Sequence, residues 1–114
     1  MAYHEHADLD HLPDLGTLAP KEFGAFAKFD ALVGRSDGVV PQKYRELMAL
    51  AVAFTTQCPY CLDVHTAAAK AAGATREEIA ETAFIAAALR AGAAVTHGLL
   101  ALKLYDAAEA PAAT

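Results

Sequence analysis

The sequence predicts an all-α protein of about five to six helices, and three observations carry that reading. Prolines 20, 41 and 59 sit where segments begin, a position at which the missing N–H costs nothing. Apolar residues recur every three or four positions, and no stretch alternates in the manner of a strand. Hydrophobic side chains make up 55% of the 114 residues, with alanine prominent among them, as close-packed helices require. The length is that of one domain. So large an apolar share is hard to bury within one small protomer, which predicts an oligomer.

Taken in order, residues 1–16 form a polar, His/Asp-rich arm without clear periodicity. His4, Glu5, His6, Asp8, Asp10 and His11 are metal-ligand types, but a solvated tail is the simpler expectation for a terminus. The helical domain is expected over 17–109, with an Ala/Pro tail at 110–114. Its first helix opens at Pro20, carries Phe23, Phe26, Ala27, Leu32 and Val33 at near-helical spacing, and ends at Gly34. After the RSDGVV turn, Pro41 opens a second helix that starts polar (Gln42, Lys43, Arg45, Glu46) and becomes apolar on all sides through Phe54. A helix of that kind is expected to be buried, with Glu46 at the threshold of the core. Pro59 opens a third helix that stops at Gly73. Thr75 and Glu78 have the spacing of a capping box for a fourth. Ala91-Gly92 marks an expected break or tight packing point before a fifth helix bearing Val95, Leu99, Leu100, Leu102 and Leu104.

Charge and length narrow the partners. A net charge of −5 with no basic cluster argues against nucleic acid and anionic membranes. No apolar run approaches the ~18 residues of a membrane span, and the N-terminus lacks the regions of a signal peptide. Two cysteines only three positions apart do not staple a secreted fold. In a cytoplasmic chain, the expected setting, that spacing points to redox or metal chemistry.

The chemistry concentrates in Glu46–His65, where a carboxylate precedes Cys58-Pro59-Tyr60-Cys61 and an imidazole follows. With Cys58 at or just before a helix start and Cys61 one turn in, the sulfurs are neighbours, and the helix dipole favours a thiolate. His65, one turn beyond Cys61, is placed to take its proton, and Glu46 to orient His65. The candidate site is therefore Glu46, Cys58, Cys61 and His65. Tyr60 is a possible hydrogen-bond donor or sulfur shield. His97 is expected as a hydrogen-bonded core or interface residue with the option of lining the pocket. Arg90 and Lys103 read as surface charges, and Asp63 as solvated on another face.

The pattern E-x11-C-P-Y-C-x3-H in an alanine-rich helical chain resembles the alkylhydroperoxidase D-like branch of the carboxymuconolactone decarboxylase family, over roughly Val39 to Leu104. The resemblance implies a peroxidase or disulfide-reductase cycle without a bound cofactor. A hydroperoxide oxidises Cys61 to a sulfenic acid, Cys58 resolves it to a disulfide, and an external dithiol, such as a lipoyl group on a partner protein, reduces the pair. It also implies trimers or hexamers. Tyr60 stands where the best-known peroxidase member has a histidine. Three readings compete with this one: the family's decarboxylase activity, whose members lack the paired cysteines; a Cys/His/Glu metal site, for which no second ligand pair exists in the sequence; and a scaffold with inert buried cysteines.

Overall fold

The computed structural model describes residues 2–109 and 111; of the expected tail at 110–114, all but residue 111 lie outside the described residues. Among the described residues there are five α-helices and no strand. A 3₁₀ stretch, His6–His11, leads into α1 (Leu12–Leu18) and α2 (Pro20–Val33). Helices α3 (Gln42–Thr56), α4 (Pro59–Ala71) and α5 (Arg76–Ala107) follow.

The boundaries follow local chemistry. Pro20 and Pro59 occupy first-turn positions, whereas Pro41 serves as the N-cap of α3. Gly34 caps α2, and Gly73 adopts φ 93°, a left-handed conformation that ends the α4 region at little cost. Thr75 and Glu78 form the expected capping box: Thr75 Oγ1 accepts from the Glu78 N–H at 3.1 Å, and Glu78 Oε1 accepts from the Thr75 N–H at 2.9 Å. Lys43 reaches the same glutamate at 2.9 Å and so ties the start of α5 to the start of α3.

The core lies where α3, α4 and α5 meet. Leu50 and Ala53 on α3, Ala69 on α4 and Ala86 on α5 are buried, joined by Glu46 and Thr82. Glu46, Leu50 and Ala53 follow one another at i, i+4 and i+7, the stripe of one helix face. Three of the four apolar contacts are alanines, so the backbones approach closely. Thr82 resolves its own hydroxyl by donating to the Glu78 carbonyl at 2.7 Å.

Four expectations are corrected. No break occurs at Ala91-Gly92: α5 runs unbroken from Arg76 to Ala107, because nothing packs at Gly92 to interrupt it. Helix α3 is not buried on all sides, since Met48 and Val52 are 57% and 60% exposed. The arm has more order than its polarity suggested, because Glu5 and Asp8 form a capping box and Pro13 starts α1, which runs across residue 16. Finally, α5 is long and apolar enough to cross a membrane by length and composition, with a mean hydropathy of 1.5 over the best window. No single apolar run shows it in the sequence, because Arg90, Thr96 and His97 divide its apolar residues.

That apolar helix has few neighbours. Val95, Leu99, Leu102 and Leu104 are all more than half exposed. The radius of gyration is 20.2 Å, against about 13 Å for a compact chain of this size.

Candidate active site

Helix α3 ends at Gln57, whose φ 56° and ψ 51° are left-handed, the only positive φ at a non-glycine among the described residues. This one residue turns the chain so that Cys58 becomes the N-cap of α4. Cys58 Sγ accepts from the Cys61 N–H at 3.2 Å, so the sulfur takes the place of the usual capping oxygen. Cys58 and Cys61 are joined as a disulfide, with Cα atoms 5.3 Å apart. Both cysteines are half-buried.

One turn beyond Cys61, His65 meets Glu46: Nδ1 lies 2.6 Å from Glu46 Oε2. With a carboxylate as acceptor the proton belongs on Nδ1, which leaves Nε2 as the unprotonated nitrogen. The Glu46 side chain is 9% exposed and that of His65 35%, so the carboxylate is the inner member of the pair. Its second oxygen, Oε1, accepts from Gln42 Nε2 at 3.0 Å. Gln42 was read in sequence only as part of a polar helix start, although its i, i+4 spacing to Glu46 was the available signal. The structure thus pairs Glu46 with His65 and Cys58 with Cys61, and one turn of α4 separates the two pairs.

A cavity of about 330 Å³ opens on the carboxylate–imidazole pair, with Val33, Val40, Met48, Ala49 and Val52 as apolar lining and Asp30 and Arg45 as further charged members. Arg45 secures the wall of this cavity by donating to the Val40 carbonyl at 2.9 Å and to that of Val33. Its guanidinium passes so close to Gly38 that a Cβ there would collide with it. The size is that of a small-molecule pocket.

Tyr60 bonds away from the sulfurs, and His97 lies off the cavity. At 100° per residue, Tyr60 is turned away from the face shared by Cys61 and His65. Its hydroxyl donates instead to Asp8 Oδ2 of the arm at 2.9 Å. Asp63, expected to be merely solvated, accepts from His6 Nδ1 at 2.6 Å. The Glu5 backbone N–H followed by the Tyr60 hydroxyl holds Asp8 below the usual carboxylate range, and the same bond to Asp8 raises Tyr60. His97 is exposed on α5 and does not line the cavity. Arg90 donates to the Thr55 carbonyl at 2.9 Å and so closes the last turn of α3. Among the described residues no group of three His, Cys, Asp or Glu side chains is arranged to hold a metal ion.

Comparison with known proteins gives the same helical unit. The carboxymuconolactone decarboxylase family model matches residues 20–104. A Haemophilus influenzae protein is 41% identical over 97 residues, 85% of each chain. A Paracoccus denitrificans protein, described as uncharacterized protein 4 in cox locus, is 44% identical over 71 residues, which cover 62% of this chain and 64% of that one. In three dimensions the chain is similar to an apo carboxymuconolactone decarboxylase family protein from Legionella pneumophila, with a TM-score of 0.65 and 28% identity over 86% of this chain and 87% of that one.

Proposed function

Given that the chain belongs to the carboxymuconolactone decarboxylase family, we propose that it works in the thiol-redox branch, as a peroxidase or disulfide oxidoreductase. The observation that carries this reading is the Cys58–Cys61 pair one turn from half-buried His65, which is bonded to buried Glu46.

In the cycle, the reduced Cys61 thiol passes its proton toward His65 Nε2, and the thiolate attacks the outer oxygen of a hydroperoxide. The O–O bond breaks, the alkoxide takes a proton and leaves as an alcohol, and Cys61 becomes a sulfenic acid. Cys58, favoured as a thiolate at the helix N-cap, displaces hydroxide from that sulfur, water leaves, and the disulfide forms. An external dithiol then attacks the disulfide at Cys58, Cys61 departs as a thiolate, and the second thiol of the reductant completes the exchange. Two electrons enter from the dithiol and two leave to the peroxide. Glu46 keeps His65 oriented throughout.

The exposed apolar surface of α3 and α5 supports an assembly of like protomers, trimeric or hexameric. Thiol titration of the reduced protein before and after one equivalent of an organic hydroperoxide tests the chemistry. Loss of two thiols, restored by a dithiol, is the expected result; retention of both thiols would remove the peroxidase reading.

A further inference from the structure

Gln42 holds the inner end of the dyad in an arrangement that a helix-stabilising pair on an open surface does not need. Its Nε2 donates to Glu46 Oε1 at 3.0 Å and lies 3.4 Å from the Gly34 carbonyl, so one amide bridges the end of α2 and the buried carboxylate. Its own Oε1 is buried without a protein partner. Leaving an amide oxygen in that state is costly, and an apolar side chain of similar length would avoid the cost. The useful part of the side chain is therefore its N–H₂ group. With Gln42 on Oε1 and His65 on Oε2, the carboxylate of Glu46 is held from both sides, which fixes its rotation.

We propose that Gln42 is a positioning residue for the dithiol chemistry: through one donated hydrogen bond it keeps Glu46 turned toward His65 Nδ1, and so keeps His65 Nε2 available to the Cys61 sulfur. This rests on the thiol-redox reading and extends it to a residue outside the CxxC motif. The effect is confined to conditions in which the protein, rather than bulk base, ionises the thiol.

The test uses the reduced full chain and iodoacetamide as the probe, with alkylation at Cys61 followed by mass spectrometry from pH 6 to 9. Gln42→Met keeps the length and removes the donor; Gln42→Lys keeps a donor and removes the orphaned oxygen. Gln42→Met is expected to slow alkylation near pH 7 by about tenfold, the scale of a hydrogen bond to a charged group, with the difference closing by pH 9. Gln42→Lys is expected to stay near the wild-type profile. A Gln42→Met profile superimposable on wild type would overturn the proposal. So would equal slowing of both variants at every pH, the mark of a packing role. Iodoacetamide reads the thiol whatever its natural oxidant. If wild-type thiols survive hydroperoxide, the peroxidase reading falls while the Gln42 comparison still stands or fails by its own profile.

Discussion

At the residue scale the site is a chain of hydrogen bonds that runs from Gln42 to His65, one turn short of Cys61. Gln42 meets Glu46, Glu46 meets His65, and His65 stands one turn from Cys61. Glu46→Gln and His65→Ala should each keep the helices, as circular dichroism will check, yet slow oxidation of the reduced thiols near neutral pH. A loss of about 10²–10⁴-fold is the usual scale of acid–base assistance and is expected for His65, with a smaller loss for Glu46. Equal rates for wild type and both variants from pH 6 to 9 would remove the dyad from the mechanism. The left-handed Gln57 beside Cys58 gives a second prediction. Holding a non-glycine residue there costs roughly 1–2 kcal/mol. Gln57→Gly, which relieves that cost but loosens the unfolded chain, should raise stability by up to about 1 kcal/mol in a denaturant titration.

At the scale of elements, most of the helical plan was legible because it is written in local chemistry. Pro20, Gly34, Pro59, Gly73 and the Thr75–Glu78 box each act within a few residues, and each marks a boundary in the structure. The Cys58, Cys61 and His65 spacing was legible for the same reason, since i, i+3 and i, i+4 offsets are fixed by the helix itself, whereas Glu46 reaches His65 across nineteen positions from another helix. What remained hidden depends on contacts distant in sequence. The arm is the clearest case: its helical start comes from Glu5 and Asp8, but its anchorage comes from Tyr60 and Asp63, more than fifty residues away. No periodicity in residues 1–16 records that pairing. Its strength should vary with pH in a defined direction. Asp8 titrates below its ordinary value of 3.8, so its contribution is complete above that value and is lost as the pH falls through the lower folded-state pKa. Limited proteolysis should therefore cut the arm faster at pH 3 than at pH 6, and Tyr60→Phe should bring some of that susceptibility to pH 6. Equal cleavage of both proteins at pH 6 would mean that the Tyr60–Asp8 bond does not hold the arm.

At the scale of the whole molecule, the protomer has a small finished core and a large unfinished surface. Gly92 suggested a break in the sequence, yet α5 continues through it, and its second half projects apolar side chains with no covering in the protomer. Sedimentation of the purified chain is expected to give a species of three or six protomers; a well-folded monomer at micromolar concentration would remove the assembly and leave the site chemistry untouched. The exposed flank of α5 has a further consequence under that assembly. A helix whose second half finds its neighbours only on other chains makes folding obey mass action, since what binds the native state stabilises it in proportion to the logarithm of its concentration. The melting midpoint should then climb as the protein is concentrated and drop as it is diluted, so that dilution alone acts as a denaturant.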